Sequence, residues 1–333
     1  MFKRIALFLF ILVFFLLFSF FFLLYKLSTR THTPLTYFPT QIYSSLKNPT
    51  ITTDFNFLVL GIDPRYDLLE KTMTSDTIMI GRLNSNLHLN IISIPRDLWV
   101  YSLSSKVNEI YQKSTSRSQV LSRFSELTGQ RLDKYVLIST DNLVKLTTLI
   151  GGVDVTLDQA YTDTKYPNPA YIATPSTKVP MYITISFQKG LNHLQADNIA
   201  AFVRSRKGQT SDGVESTDIG RTIRQQLLLD AILAKIKSPD FYQNPTNLLN
   251  LYNFWHSQID SNITDQDIFS LIFHSRKALL NIKLNKTTIP ASESTPSGII
   301  YHPASFSSQQ WVYVPQDKNY LSFQQYISDF LAQ

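Results

Sequence analysis

The sequence predicts an α/β fold in which strands and helices alternate through one large domain. Short apolar runs that end at glycine or polar residues, such as residues 56–62, have the length of buried strands. Longer stretches carry apolar residues at helical spacing, most clearly residues 218–236. The 333-residue chain shows no internal repeat, and its hydrophobic content of 44% is sufficient for a full core.

An uncharged apolar stretch of 21 residues runs from Ile5 to Tyr25. At about 1.5 Å per helical residue it is long enough to cross the roughly 30 Å of bilayer hydrocarbon. A cleaved signal peptide is the alternative, but the run is longer than a usual signal and no A-x-A site follows it. We therefore expect a transmembrane signal anchor over 5–25, after a short cytoplasmic segment over 1–4. A polar stalk is expected over 26–53, and an extracytoplasmic domain over 54–333.

The formal net charge of +6 comes mostly from the flanks of this apolar stretch. Residues 1–30 hold four of the 31 Lys and Arg residues and no acidic residue, so 27 basic residues face 25 acidic ones in the remainder. The charge therefore gives no argument for nucleic-acid binding. The absence of cysteine excludes disulfides, zinc–thiolate sites and cysteine nucleophiles.

In the first half of the domain, apolar runs bounded by turn residues predict most of the strands. These strands lie at 56–62, 78–80, 87–94, 132–139 and 153–157. Residues 105–108 are expected to lead into a helix that runs to about Thr128, and a second helix is predicted over 140–149, ending at a Gly-Gly pair.

In the second half, four prolines within 161–181 predict a surface excursion. A helix or turn at 194–201 leads into an arginine-rich segment, and Asp218 stands where the N-cap of the helix 218–236 is expected. Further strands are expected at 182–187, 286–290, 298–302 and 311–314, a turn at 190–193, and further helices at 245–255, 265–280 and 322–331.

Charged residues cluster at the ends of the first three predicted strands. Asp63 and Arg96 follow the first and third strands, whereas Asp76 precedes the second. If the second strand runs antiparallel to its neighbours, all three residues meet at one edge of the sheet. A carboxylate pair beside an arginine suits Mg²⁺ that bridges phosphate oxygens. The alternative is that these aspartates only cap turns.

Four arginines lie within the segment 202–226. Arg204 and Arg206 are two residues apart and would point to one side of a strand end. Residues at 221, 224 and 225 are spaced to share one helical face, and they are Arg221, Arg224 and Gln225. A guanidinium matches phosphate oxygens with two hydrogen bonds and keeps its charge, so the cluster suits a diphosphate. A solvated basic loop is the alternative.

Seven ordered blocks of sequence resemble the LytR–CpsA–Psr family of cell-envelope phosphotransferases. The blocks are LVLGID (58–63), SDTIMI (75–80), ISIPRDLWV (92–100), KVNEIY (106–111), LIGGVDV (149–155), GLNHLQADNIAAFVRSR (190–206) and DIGRTIRQQLLLDAI (218–232). The best match covers about residues 54–237, whereas residues 245–333 match less well and supply no site residue. The fold implied is a central mixed β-sheet flanked by helices, with an apolar tunnel for a polyprenyl chain.

The resemblance also implies an activity. Members of the family transfer a glycopolymer, such as teichoic acid or capsule, from a polyprenyl diphosphate carrier to a peptidoglycan sugar hydroxyl outside the membrane, as a phosphodiester. By position, Asp63 and Asp76 correspond to the carboxylates near Mg²⁺ or Mn²⁺, and with Arg96 and Arg204 they form the catalytic set. The diphosphate-binding set implied is Arg96, Lys106, Arg204, Arg206, Arg221, Arg224 and Gln225, and the supporting residues are Asp97 and Asp218.

Two other functions use the same phosphate-binding residues. Water could replace the sugar hydroxyl, which would make the protein a diphosphatase, or the domain could bind lipid diphosphates without catalysis and sense the state of the envelope. The metal carboxylates favour an enzyme over a binder. For the tunnel we expect Leu227, Leu228 and Ile232 as lining residues, with an ordinary core stripe as the alternative.

Overall fold

The computed structural model of this protein describes residues 19, 21–50, 55–62, 73–84, 88–174, 176–210, 218–274, 282–292, 298–307 and 310–333. Asp63 and most of the expected anchor, Ile5 to Tyr25, lie outside these residues. Within the part described, no helix combines the length and the apolar character needed to span a bilayer.

The secondary structure alternates as the sequence predicts. The helices are α1 (Tyr37–Lys47), α2 (Arg117–Thr128), α3 (Thr140–Leu149), α4 (Pro169–Ala173), α5 (Ile199–Arg204), α6 (Asp218–Ile236), α7 (Pro239–Tyr242), α8 (Pro245–Gln258), α9 (Asp265–His274) and α10 (Leu321–Leu331). The first strands are β1 (Phe55–Ile62), β2 (Ser75–Leu83), β3 (His88–Ser93), β4 (Trp99–Val100), β5 (Ser105–Lys106), β6 (Lys134–Ser139), β7 (Val153–Leu157) and β8 (Tyr161–Pro167). The later ones are β9 (Tyr182–Phe187), β10 (Gly190–Leu194), β11 (Gln209–Thr210), β12 (Asp260–Ser261), β13 (Lys283–Thr288), β14 (Ala291–Ser292), β15 (Ile300–Tyr301) and β16 (Val314–Pro315).

The chain divides into two compact units, Met1–Thr52 with Thr264–Leu279 and Thr53–Ile263 with Leu280–Gln333. In the first unit, α1 packs against α9 through the rings of Phe38 and Phe269, whose centroids are 6.3 Å apart. The Tyr37 hydroxyl also donates to Asp265 at 2.7 Å. Residues 21–31 and α1 are helical, so much of the segment expected to be a stalk is helical.

A six-stranded mixed sheet organises the second unit, in the order β12-β6-β1-β2-β3-β13. Strand β1 pairs parallel to β6 and antiparallel to β2, and β2 pairs antiparallel to β3. The sheet is therefore mixed, as expected for the family.

The two faces of this sheet differ in what covers them. Leu58 pairs with Ile80 in the register, and both belong to a core completed by α2 and α10, with Phe124 and Phe323 fully buried. The opposite face carries a row in which Val59 stands between Met79 and Val136. Because side chains alternate along a strand, this second face looks toward α3 and α6 and leaves room for a cavity.

A second core holds strands β7 to β10 of this unit. Strands β7 and β10 pair with each other, and β8 pairs with both β9 and β11. Their buried residues pack with those of α5 and α6, for example Phe187 edge-to-face against Phe202 at 5.1 Å. Helix α5, which ends at Arg204, is thus held between this core and the cavity.

Two sequence-based expectations are wrong. The helix expected to follow residues 105–108 begins later than predicted, because Ser105–Lys106 pairs with β4, a single 3₁₀ turn follows at Val107–Glu109, and α2 begins only after Ser116. Residues 161–181 are not merely a surface excursion, because Tyr161–Pro167 is strand β8 and buries Tyr161 and Asp163.

Candidate active site

The antiparallel course of β2 brings the predicted strand-end residues to one edge of the sheet. Ile62 at the end of β1 lies opposite Ser75 at the start of β2, and Ile94 after β3 donates its backbone N–H to Ile78 of β2. Asp76 and Arg96 therefore meet at this edge. Asp63 directly follows Ile62 but lies outside the described residues.

Charges of opposite sign alternate along this edge. Arg96 donates through Nη1 to Asp76, and its Nε lies 3.5 Å from Oδ2 of Asp97. The Nζ of Lys106 lies 2.6 Å from the other oxygen of Asp97, because the pairing of β4 with β5 places Lys106 beside Trp99. Asp97 thus links Lys106 to Arg96, and Lys106 reaches the site through Asp97.

The carboxyl group of Asp76 is held in its ionised form. Burial alone would raise its pKa above the ordinary value of 3.8, but the positive charges of Arg96, Arg221 and Arg206 and the hydrogen bond from Arg96 outweigh burial and lower the pKa. A carboxylate that stays ionised at neutral pH is suited to bind cations and is a weak proton acceptor.

Arg204 and Arg206 lie near Asp76 but not on a strand end. Arg204 is the last residue of α5 and Arg206 follows in extended chain, so the local structure differs from the expectation. Both nevertheless line the same cavity as Asp76, together with Arg221. Three arginines against one aspartate leave this part of the cavity wall with an excess of positive charge.

Helix α6 contributes the other part of the site. Arg221 is only 3% exposed, and its Nη2 donates to the backbone oxygen of Asp76 at 3.0 Å. Gln225, one turn later, also lines the cavity and donates to the backbone oxygen of Val203 at 3.3 Å. The helix does begin at Asp218, whose side chain belongs to the undescribed part of the chain.

Arg224 differs from the other arginines because it is not among the residues that line the cavity. Its Nε donates to the backbone oxygen of Phe202 at 2.9 Å, its Nη2 donates to that of Ser205, and its guanidinium lies 4.3 Å from the centre of the Tyr161 ring. Burial lowers its pKa, although Tyr161 and Asp163 oppose the shift. The sequence spacing placed Arg224 on the face of Arg221 and Gln225, but the structure places it behind the charged wall of the cavity, where it binds the backbone.

The cavity has a volume of about 370 Å³ and two kinds of wall. The charged wall is described above, and the apolar wall is formed by the sheet face and by α3 and α6. Leu228 and Ile232 line it as expected, whereas Leu229 takes the place expected for Leu227, which packs in the second core. The apolar lining comprises Val59, Ile62, Met79, Val136, Ile138, Leu143, Leu146, Leu228, Leu229, Ile232 and Trp255.

Several lining residues were not predicted from the sequence. Ser139 ends β6 and Thr140 follows it, and β6 is parallel to β1. The expectation that residues at strand ends form the site, which selected Asp63, therefore also applied to these two residues. Thr77 pairs with Gly61, where a Cβ would lie 2.7 Å from the Thr77 Cβ, so only glycine allows this approach at the cavity floor. Trp255 comes from α8, in the segment that carried no motif.

The donor set of the site fits Mg²⁺ if the substrate supplies the remaining oxygens. Asp76 is an ionised carboxylate and the only acidic residue among the described residues of the cavity wall. The described part of the chain contains no group of three or more His, Asp or Glu residues that could hold a metal alone. Protein-bound Mg²⁺ commonly uses one or two carboxylates, substrate phosphates and water, so one carboxylate beside a phosphate site is compatible with it.

Comparison with known proteins assigns the family. The family model described as the LytR_cpsA_psr family matches residues 25–313. The chain belongs to the LytR–CpsA–Psr family. Among curated relatives, the polyisoprenyl-teichoic acid–peptidoglycan teichoic acid transferase TagV of Bacillus subtilis (strain 168) is 24% identical over 204 residues, 59% of this chain and 48% of TagV. The transferase of the same description, TagU, from Bacillus cereus (strain AH820) is 25% identical over 231 residues, 68% of this chain and 66% of TagU.

Solved structures show the same fold. The crystal structure of B. subtilis TagV superposes with a TM-score of 0.58 at 19% identity and covers 84% of this chain and 98% of that one. TagT bound to LIIa-WTA superposes with a TM-score of 0.56 at 18% identity, over 84% of this chain and 92% of TagT. The mixed sheet with flanking helices is therefore the architecture of this family. The matched region spans about half of TagV and 66% of TagU.

Proposed function

We propose that this protein transfers a glycopolymer of the teichoic acid class from a polyprenyl diphosphate carrier to a peptidoglycan sugar hydroxyl. The observation that carries the proposal is the combination of two walls in one cavity. A polyprenyl diphosphate is a charged diphosphate joined to an apolar chain, and the cavity joins an arginine-rich wall to an apolar one. We take teichoic acid as the polymer and peptidoglycan as the acceptor from the descriptions of TagU and TagV.

In this proposal the arginines bind and orient the diphosphate. Arg204 and Arg206 from the α5 segment and Arg221 from α6 approach the cavity from two elements, so their guanidiniums can bind different oxygens of the two phosphates. Arg96, in the segment after β3, donates to Asp76 and adds a further positive charge near the diphosphate. Catalysis of phosphoryl transfer consists mostly of such positioning and charge neutralisation.

The reaction moves one phosphate between two oxygens. The oxygen of the acceptor hydroxyl bonds to the phosphorus that carries the glycopolymer, and the bond from that phosphorus to the bridging oxygen breaks. Polyprenyl phosphate leaves with the bond electrons, and the hydroxyl proton is released. Because the transition state is loose, a strong base is not needed. The lowered pKa of Asp76 accordingly suits charge stabilisation better than proton removal.

Mg²⁺ would be held by Asp76, with Asp63 as the second carboxylate suggested by the family. When bound, the ion supplies positive charge to the diphosphate oxygens. Mn²⁺ could take the same place, since both ions prefer carboxylate and phosphate oxygen ligands.

For the location we propose a single-pass membrane protein whose catalytic domain is extracytoplasmic. The support is the uncharged stretch from Ile5 to Tyr25 and the membrane-borne nature of a polyprenyl substrate. The N-terminus would then be cytoplasmic, and the cavity would face the compartment that holds peptidoglycan.

The test uses the full chain in detergent with a synthetic polyprenyl-diphosphate oligosaccharide, Mg²⁺ and peptidoglycan fragments, followed by mass spectrometry. We expect a phosphodiester adduct that is lost on chelation with EDTA, restored by Mg²⁺, and reduced by about 10²–10³-fold in Arg204→Ala. Asp76→Ala should behave similarly. Lys189→Ala, at an exposed turn outside the site, serves as the matched control.

The products separate the possible functions. An adduct that depends on Asp76 and Arg204 supports transfer. Sugar phosphate without adduct identifies a diphosphatase, and tight lipid binding without turnover identifies a sensor. An adduct formed at full rate by Arg204→Ala would contradict the proposed phosphate-binding site.

A further inference from the structure

Ser205, which lies between two cavity-lining arginines, is itself directed into the protein. Arg204 and Arg206 line the cavity, whereas Ser205 is 1% exposed and its hydroxyl donates to Asp163 of β8. The direction of the Ser205 side chain thus determines the course of the backbone that carries both arginines.

Asp163 is a buried carboxylate at the end of a directed chain of hydrogen bonds. It is 1% exposed and accepts from the backbone N–H groups of Lys165 at 2.8 Å and Lys207 at 3.3 Å, in addition to the Ser205 hydroxyl. Because the Ser205 hydroxyl donates its hydrogen to Asp163, its oxygen is the acceptor in the hydrogen bond with the Tyr161 hydroxyl. The Tyr161 oxygen in turn accepts from the backbone N–H of Gly208 at 3.1 Å.

Gly208 makes this arrangement possible. A Cβ at this position would lie 2.4 Å from the Tyr161 hydroxyl oxygen and 2.3 Å from its Cζ. Tyr161 is only 3% exposed and therefore has little room to move aside. Any larger residue at 208 would push the Tyr161 hydroxyl away from Ser205.

The same serine is held from its backbone side. Arg224 donates to the backbone oxygens of Phe202 and Ser205 and packs its guanidinium on the Tyr161 ring. A buried cation and a buried anion thus bind Ser205 from opposite sides, which offsets the cost of burying each charge. Neither Asp163 nor Ser205 is among the cavity-lining residues, so neither is placed to touch a ligand there.

From this network we infer that Asp163 is a positioning residue that, through Ser205, fixes Arg204 and Arg206 for the phosphate oxygens of the substrate. The inference rests on the proposed function, because it requires that these arginines bind a diphosphate. Charged donors act best when the protein holds them in the correct position before the substrate binds. A displacement of about 1 Å can lower the reaction rate on the order of 10²-fold, so loss of the residues that hold such donors is costly.

The test measures binding of farnesyl diphosphate to the full-length protein by calorimetry, with farnesol as the ligand that lacks phosphate. Asp163→Asn keeps the size of the side chain but removes its charge and replaces one accepting oxygen by an NH₂ donor, so the side chain can no longer accept from both Ser205 and the backbone N–H of Lys165. We expect Kd for farnesyl diphosphate to rise on the order of tenfold, as when a residue behind a ligating group is removed. The affinity for farnesol should not change. Asp154→Asn is the matched control, because Asp154 is exposed on β7.

Two further variants keep the test decisive if Asp163→Asn does not fold. Tyr161→Phe retains the ring beneath Arg224 and removes only the hydroxyl, and Ser205→Ala removes the central link. Both should weaken farnesyl diphosphate binding several-fold, and Ser205→Ala should add little to Asp163→Asn, because the two residues act in one chain.

The outcomes distinguish this inference from the proposed function. If the unmodified protein does not bind farnesyl diphosphate, the proposed function fails and the inference fails with it. If the unmodified protein binds but the folded variants bind equally well, only the inference is overturned. A parallel loss of farnesol binding would also overturn it, because that result indicates a general structural role.

Discussion

The apolar wall of the cavity predicts how affinity depends on the length of the prenyl chain. With about 30 Å³ per water-sized group, a volume of about 370 Å³ holds about a dozen carbon-sized groups. In a ligand of this size, each carbon that the cavity holds contributes roughly 0.3 kcal/mol of binding free energy. A five-carbon unit held in full therefore contributes roughly 1.5 kcal/mol, which lowers Kd about tenfold. Only about two of the five carbons that farnesyl adds to the ten of geranyl fit by this count, so the affinity should rise about threefold from geranyl to farnesyl diphosphate and change little from farnesyl to geranylgeranyl diphosphate.

A substitution within the cavity tests the same reasoning. Ile232→Trp adds volume to the apolar wall formed by α6, so it should leave room for a shorter chain. We expect about a tenfold loss of affinity for farnesyl diphosphate and a smaller loss for geranyl diphosphate. Leu248→Trp is the matched control, because Leu248 is 45% exposed on α8 and is not part of the cavity wall.

Calorimetric titration of the three ligands into both variants provides the measurement. Equal affinity for all chain lengths would show that the cavity does not hold the prenyl chain. A loss of pyrophosphate binding in Ile232→Trp as large as the loss of farnesyl diphosphate binding would show that the substitution disturbs the charged wall instead.

Two further predictions concern pH and stability. The lowered pKa of Asp76 means that its ionised form persists as the pH falls below 3.8, so its contribution to stability declines as the pH falls from about 3.8 and is lost once the pH has passed below the lowered pKa. Arg96→Gln removes a positive charge that opposes the effect of burial, so the pKa of Asp76 should rise. The acid limb of the pH–rate profile should then move to higher pH. If the limb does not move, Asp76 is not the group that titrates there. Phe124→Ala removes a fully buried ring on the sheet face away from the cavity and should lower the free energy of unfolding by about 3–5 kcal/mol in urea, with Kd for farnesyl diphosphate unchanged.

The sequence predicted the edge of the sheet where the site lies because this edge follows from local signals. Apolar runs located β1, β2 and β3, and the charged residues stood at their ends. The antiparallel course of β2, which the sequence left as a condition, brings Asp76 beside Arg96. Helical spacing selected Arg221 and Gln225, which the structure places on the cavity wall.

The sequence could not predict which arginine lies behind the wall. Arg221, Arg224 and Gln225 have the spacing of one helical face, yet Arg224 packs on Tyr161, a residue 63 positions earlier in the chain. Only tertiary packing decides which side of α6 meets the cavity. Asp163 was missed for the same reason, since its partner Ser205 is 42 residues away.

The errors in the fold have identifiable causes. The prediction of a helix directly after residues 105–108 ignored the N-cap at Ser116, whose hydroxyl accepts from the backbone N–H of Gln119 at 3.2 Å. Between 161 and 181, the prolines outweighed the alternating Tyr and Thr residues of β8, although those residues favour a strand. Both local signals were present in the sequence.

The arrangement of charges in the site indicates that the arginines are held in place before any ligand binds. Arg221 is nearly fully buried and bonded to the backbone of Asp76, and Arg204 and Arg206 flank a serine that is fixed by Asp163 and Arg224. Like charges so close together repel one another, and a flexible surface would let them separate. Here the repulsion is opposed by buried hydrogen bonds within the protein itself. The positive wall is thereby kept ready for a diphosphate, whose negative charge relieves the repulsion when it binds.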